Sequence, residues 1–361
     1  MKIISIVGAR PNFMKIAPIV HEIKKYAETE HLLIHTGQHY DPNLSEIFFE
    51  ELGIPRPDIN LGIGGGTRED QILRIKEKFN PVLERENPDL VIVVGDVNST
   101  IACAEAAREK NIKVAHIEAG LRSGDLSMPE EINRIATDKI SDYLFITEKS
   151  AIENLKKEGI EEAKIHFVGN VMIDTLIKNL EKSKDSGILS KLRLKKKDFI
   201  IATIHRPSNV DKKEDILKIL DIFNEIQKKI EIVIPLHPRT KNSLEKFDLM
   251  GNLRSMKNLL LTEPLGYLNF LDLVSNSRFV LTDSGGIQEE TTYLKIPCIT
   301  MRPSTERPST ITEGTNVLVG NDKEKVLENF TKIIDGSFKE GKIPELWDGK
   351  AAERIVKILN I

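Results

Sequence analysis

Acidic residues recur in this sequence where short apolar runs end. Asp96 follows "VIVVG", Glu118 follows "VAHI", and Glu131 stands in "MPEEINR". Asp96 suits a helix N-cap. Glu130 or Glu131 suits the positive end of a helix whose first turn Pro129 marks. Glu118 has no such structural use, because a carboxylate following a buried run needs a partner or a chemical task. Three acids on consecutive loops exceed what capping requires, and such a set can move protons. Cations accompany them. Arg10 and Lys15 flank the start of the first helix, with Pro11 in its first turn. They oppose the helix dipole unless an anion binds there.

His205–Arg206 and His237–Arg239 end two successive runs later in the chain. A lone histidine is commonly structural, whereas two at equivalent strand ends, each near an arginine, point toward anion binding. The stretch "TDSGGIQEE" turns from a strand directly into a helix. Ser284, Gly285 and Gly286 offer backbone N–H groups and a hydroxyl to a phosphate. Glu290, over a turn further on, is displaced enough to accept hydrogen bonds from two ribose hydroxyls. Glu289 reads as a solvated helix acid.

The elements that must hold these residues follow from apolar periodicity. The first half gives "IISIV", "HLLIHT", "LVIVV", "KVAHIE", "YLFIT" and "IHFVG"; the second gives "FIIATI", "IEIVIPL", "LLLT", "RFVLT", "CITM" and "NVLVG". These runs are apolar throughout, which predicts strands buried on both faces of a parallel sheet. Stretches of helical spacing separate most of them. The pattern predicts an α/β chain of two Rossmann-like domains, six strands each, at 1–170 and 171–345, with a terminal helix at 346–361. Residues 171–198 read as a helix and then a polar, flexible linker, and "GIGGGT" (62–67) reads as a mobile loop. Ligands in such folds bind beyond the carboxyl ends of the strands. The chemically equipped strand ends therefore predict one cleft lined by two facing domains.

Composition supports this frame. The chain has 361 residues, 40% hydrophobic and 30% charged, with a net charge of −3. Two domains are the ordinary expectation for that length. No long block of like charge suggests a nucleic-acid or membrane arm, and no apolar run is long enough to span a bilayer. Cys103 and Cys298 lie in apolar surroundings and read as reduced, buried thiols. A cytoplasmic protein is the expectation. No HExxH or close His/Cys spacing suggests a metal site, and neither a GxGxxG fingerprint nor a P-loop is present, which argues against NAD and ATP.

In order, "GARPNFMK", "TGQHYD", "GDVNST", "HIEAGLRS", "PEEINR", "FVGNVMID", "HRPSNVD", "TDSGGIQEE" and "TERPSTITEGTNVLVG" resemble the non-hydrolysing UDP-N-acetylglucosamine 2-epimerases. The resemblance covers about residues 3–320. It implies two Rossmann-like domains in the arrangement of the GT-B glycosyltransferases, a terminal helix returning to the first domain, and a homodimer. It also implies interconversion of UDP-GlcNAc and UDP-ManNAc with no cofactor or metal. By resemblance Asp96, Glu118 and Glu131 move protons. Arg10, Lys15, His205 and the Ser284–Gly286 turn serve the diphosphate, Arg302 binds the UDP part of the substrate, His205 also serves catalysis, and Glu290 reads the ribose. At "TGQHYDPNL" the chain departs from many bacterial members, in which residues near that point help bind a second, activating UDP-GlcNAc. A GT-B glycosyltransferase, a hydrolysing epimerase and a non-catalytic nucleotide-sugar regulator are the alternatives.

Overall fold

The computed structural model describes residues 1–37 and 51–361, with Arg10 described by its backbone alone. Residues Gln38 to Asp41 of "TGQHYD" and the Arg10 side chain thus lie outside the described residues. The chain divides into two units, Met1–Lys178 with Glu345–Ile361, and Asn179–Pro344. The helix Val171–Ser183 runs across that division.

The first unit is built on β1 (Lys2–Val7), β2 (Glu30–His35), β3 (Ile59–Asn60), β4 (Leu90–Val94), β5 (Lys113–Ala119), β6 (Tyr143–Ile146) and β7 (Ile165–Phe167). They form one seven-stranded sheet in the order β3-β2-β1-β4-β5-β6-β7, and every pairing is parallel. The second unit has β8 (Phe199–Thr203), β9 (Glu231–Pro235), β10 (Leu259–Thr262), β11 (Val280–Thr282), β12 (Cys298–Thr300) and β13 (Asn316–Leu318). Its six-stranded sheet runs β10-β9-β8-β11-β12-β13 and is also parallel throughout. Both orders reverse direction next to the first strand, as in Rossmann folds, so each unit has a switch point there. In the first unit it lies between β1 and β4, and in the second between β8 and β11.

The reason for the parallel sheets is visible in β4, whose residues are all buried. Val91 and Val93 pack with Ile75, Phe79 and Leu83 of the helix Arg68–Glu86 and with the alanines of the helix Asn98–Glu109. Ala102, Ala104, Ala106 and Ala107 let that helix approach closely while keeping high helix propensity.

Two sequence expectations are corrected. The first sheet has seven strands, because Ile59 and Asn60 pair with Ile34 and His35 at its edge. Two residues carry no periodic signal. The region read as a flexible linker contains a short helix, Ile188–Leu192. Its Ile188 and the following Leu194 are buried with Phe199, Leu273 and Val280 in the second unit's core. Ile188, Leu189, Leu192 and Leu194 form only a short apolar run, set against the basic stretch that follows, which hides the helix in sequence.

The helix Ala351–Ile358 belongs to the first unit and packs against the helix Arg10–Ile23. Asp174 caps it from a distance in sequence, accepting from Ala351 N at 3.2 Å and Ala352 N at 2.8 Å. Burial pushes the Asp174 carboxyl up to about 6, against the pull of these two bonds. Asp174→Ala is expected to cost about 1–2 kcal/mol, the scale of a lost N-cap, read by urea unfolding. Asp174→Asn keeps an acceptor but removes the charge. A raised carboxyl contributes stability in its neutral form that is lost as pH rises through the folded value. Relative to wild type, the Asn variant should therefore gain stability between about pH 4 and 6. An unchanged difference across that window would show that Asp174 is not desolvated. Among the described residues no helix is long and apolar enough to cross a membrane.

Candidate active site

In the first unit the β1 turn is tied to its sheet neighbour. Asn12 accepts from Gly8 N at 3.2 Å and Ala9 N at 3.0 Å, while its amide donates to Val94 O at 3.1 Å. This fixes the start of the helix Arg10–Ile23 beside the end of β4 and aims Lys15 across the switch point. Lys15 and Glu118 are both buried and form an ion pair. Gly95 lies against that pair: a Cβ there would come 2.9 Å from Lys15 Nζ, and its φ of +68° is in the left-handed region. Only glycine suits both demands. Asp96 is the next residue.

Glu118 itself has φ of +72°, unusual for a residue other than glycine. The β5–β6 register shifts between Ile117 and Ala119, so Glu118 occupies a bulge that breaks the alternation of the strand. Bulges and left-handed residues of this kind concentrate where a side chain has been re-aimed at a functional site.

Arg134 joins the other two acids. Its guanidinium pairs with Asp96 and, at 3.1 Å, with Glu131. Glu131 also accepts from Ser123 N at 3.0 Å, Gly124 N at 3.0 Å and Ser123 Oγ at 3.1 Å. Both of its oxygens thus hold the 123–124 loop. Of the three acids Asp96 is the most accessible, its side chain 22% exposed against 3% for Glu118 and 2% for Glu131. Asn133 supports the same turn, donating to Asp96 O and Asn98 Oδ1, both at 3.0 Å.

In the second unit a buried Asp283 organises the switch point. Its Oδ2 accepts from His205 N at 2.9 Å, Arg206 N at 2.8 Å and Asn209 Nδ2 at 2.9 Å. Its Oδ1 faces His205 Nδ1 at 3.0 Å. Burial works to raise this carboxyl, but His205, Arg206 and Asn209 together hold it below the usual range. The ring of His205 is therefore fixed through Nδ1, leaving Nε2 as its outward atom. The His237 ring lies against it, tilted by 31°, with ring centres 4.9 Å apart. At the second of these strand ends Arg239 grips Asp211 with bonds of 2.9 and 2.7 Å, and His237 Nδ1 accepts from Arg239 N. Likeness of the two strand ends in sequence carried no sign of this half-exposed Arg239–Asp211 pair.

Ser284 stands at the N-cap of the helix Gly285–Leu294, and its side chain makes no capping bond. Gly285 is needed for packing, since a Cβ would meet Arg307 Nη1 at 2.6 Å and Glu306 Oε1 at 2.9 Å. Gly286 follows in the first turn. Glu290 is buried within that helix, and burial pushes its carboxyl up to about 7, with a Tyr267 hydrogen bond opposing and the charge of Glu289 adding. Glu289 is not the solvated acid expected from sequence. It is 1% exposed and meets Arg307 Nε at 2.9 Å. Arg307 also pairs with Glu306, which accepts from Arg302 Nη2 at 2.8 Å. Arg302 is thus the end of a buried chain of alternating charges, with its neighbouring loop pinned by Thr305 to Gln288 at 2.7 Å.

The structure therefore gathers Lys15, Asp96, Glu118 and Glu131 at one switch point, and His205 with Ser284, Gly285 and Gly286 at the other. Sequence reasoning missed Arg134, Asp283, Tyr267 and Arg307. Arg134, Asp283 and Arg307 stand inside the motifs "PEEINR", "TDSGGIQEE" and "TERPSTITEGTNVLVG", and an acid just before Ser-Gly-Gly was an available signal.

A family model described as UDP-N-acetylglucosamine 2-epimerase matches residues 21–360. The chain is 46% identical to a UDP-N-acetylglucosamine 2-epimerase homolog of Methanococcus maripaludis, covering 100% of this chain and 99% of that protein. It is 41% identical to the UDP-2,3-diacetamido-2,3-dideoxy-D-glucuronate 2-epimerase of Pseudomonas aeruginosa, with 99% of each covered. Among solved structures, the Methanocaldococcus jannaschii UDP-GlcNAc 2-epimerase in complex with UDP-GlcNAc and UDP matches with a TM-score of 0.93 and 44% identity. That match covers 100% of this chain and 99% of the other. Motif order, two Rossmann-type sheets and near-complete coverage agree, and the chain belongs to the UDP-N-acetylglucosamine 2-epimerase family.

Proposed function

We propose that this chain interconverts UDP-GlcNAc and UDP-ManNAc by eliminating UDP and adding it back. The observation that supports it most is the grouping of Asp96, Glu118 and Glu131 with Lys15 and Arg134 at one switch point. Such a set can take up and return protons beside a leaving anion.

The hydrogen on C2 is not acidic, so simple deprotonation and reprotonation would be prohibitive. In elimination the C2–H pair becomes the C1–C2 double bond while the C1–O bond breaks and its electrons leave with UDP. The proton passes to a carboxylate, and 2-acetamidoglucal remains. In the return step UDP oxygen attacks C1, and an acid delivers a proton to the opposite face of C2. The balance requires no oxidant or reductant. Asp96 and Glu118 are assigned the proton transfers, and Glu131 works with Arg134 to hold the 123–124 loop and Asp96 in place. Arg10, Lys15, Arg302, His205 Nε2 and the Ser284–Gly286 turn receive the diphosphate. Glu290 accepts from the ribose. The working form is proposed to be a homodimer, which sedimentation velocity would test.

UDP-GlcNAc incubated alone in deuterated water is expected to give UDP-ManNAc carrying deuterium at C2, followed by NMR. Full retention of the original hydrogen would instead indicate a shielded base or another route. Accumulation of UDP and ManNAc would indicate a hydrolysing enzyme, and turnover only after an acceptor is added would indicate a transferase. Binding without turnover would indicate a regulator. The Pseudomonas relative motivates a second substrate reading. Parallel assays with UDP-2,3-diacetamido-2,3-dideoxy-D-glucuronate separate the two by kcat/KM.

A further inference from the structure

His116 and Asp138 lie apart from the groups assigned to the reaction, yet both are completely buried. Burying an ionisable pair is costly unless each member is fully engaged. His116 Nδ1 meets Asp138 Oδ1 at 2.6 Å, and Nε2 meets Gly95 O at 2.8 Å. The other carboxylate oxygen of Asp138, Oδ2, accepts from Gly120 N at 3.0 Å and pairs with Arg122 Nη2 at 2.7 Å. Both ring nitrogens are therefore engaged, one by the helix Pro129–Ile140 and the other by the turn after β4.

The atoms this pair grips adjoin the two proton-moving acids. Gly95 directly precedes Asp96, and its other peptide face is held by Gly95 N donating to Ile117 O at 3.0 Å. Gly120 lies two residues beyond Glu118. Gly95, Glu118 and Gly120 all have positive φ, of +68°, +72° and +75°. Three left-handed residues around two chain turns are a backbone arrangement that does not hold itself. Asp138, from the helix Pro129–Ile140, holds the β5 turn through Gly120 and, through His116, the β4 turn through Gly95. Arg122 completes the brace by spanning Asp138 and Glu158, the latter at 2.7 Å.

We infer that His116 and Asp138 are positioning residues that lock Asp96 and Glu118 in one mutual geometry, acting as a single strut between the ends of β4 and β5. The inference rests on the epimerase reading above. A small misplacement of reacting groups costs on the order of 100-fold in rate. His116→Gln and Asp138→Asn are each expected to lower kcat by about 10- to 100-fold, with KM and the Kd for UDP close to wild type. The double variant is expected to be no slower than the worse single one, as for two parts of one unit. Single variants that are less stable but turn over normally when folded would overturn the proposal, as would additive losses. Nitrogen-15 NMR of the wild-type protein tests the strut without any variant. A His116 ring hydrogen protected from exchange with solvent is expected in the active enzyme, and a ring whose hydrogens all exchange freely would overturn the assignment. Wild-type protein that fails to convert UDP-GlcNAc would overturn the epimerase reading instead, which the NMR result does not touch.

Discussion

Asp96→Asn and Glu118→Gln are each expected to lower kcat by about 100-fold or more, the usual scale for removing a general acid or base. The Kd for UDP should stay close to wild type, because the groups proposed to hold UDP are mainly on the other unit. The two variants differ in what they disturb. The Asp96 side chain is the more accessible, and its amide loses the charge that pairs with Arg134. Arg134 keeps Glu131 as a partner, so the fold should tolerate the change. Glu118 is buried against Lys15, and its amide leaves a buried ammonium without its carboxylate. Breaking such a pair is typically destabilising by about 3–5 kcal/mol. Kinetics on Glu118→Gln must therefore be read on protein verified as folded, and Glu118→Asp supplies a second variant that keeps the charge. Near-normal kcat in both amide variants would show that these acids only brace the turn. Separate measurement of kcat and KM is essential, since loss in KM alone would signal lost binding.

Glu289 and Glu290 are expected to respond in opposite ways. Glu289→Gln should cost about 3 kcal/mol of stability, the lower end of the range for breaking a buried pair, because Arg307 retains Glu306. Its UDP affinity, measured on folded protein, should change little. Glu290→Gln should weaken UDP binding, since hydrogen bonds to a charged acceptor contribute about 1.5–3 kcal/mol each in favourable cases. Wild-type protein should bind 2′-deoxy-UDP less well than UDP, and that penalty should shrink in Glu290→Gln. An undiminished penalty would place ribose recognition elsewhere. The pH dependence has a definite sign. Burial raises the Glu290 carboxyl to about 7, so stability contributed by its neutral form is lost as pH rises from about 4.5 through 7. Glu290→Gln should gain on wild type across that window, while UDP binding to wild type strengthens as the charged acceptor forms. Chemical denaturation and calorimetry at pH 5 and 8 would check both.

The continuous apolar runs of β1, β4, β5, β8 and β11 determined much by themselves. A strand buried on both faces has no polar side, so runs such as "LVIVV" specify a parallel sheet between helices. Rossmann order then puts "GARPNFMK" beside "GDVNST", and "HRPSN" beside "TDSGG", at the two switch points. Asp96, Glu118, Glu131, Lys15 and His205 were legible as candidates because each interrupts apolar sequence at a strand or helix end. Tertiary structure alone decided what these groups do to one another. Charge pairing acts through space at a few ångströms, and loops distant in sequence choose the partner. Hence Glu289 is a buried ligand of Arg307, Arg239 belongs to Asp211, and Arg134 is shared by Asp96 and Glu131. The re-aiming of Glu118 depends on a register shift between β5 and β6, and no local residue pattern encodes a shift that exists only once two strands have paired. The edge strand Ile59–Asn60 likewise exists only because β2 offers its open edge. Ile188 and Leu194 became core residues because the second sheet left an apolar face for them to cover.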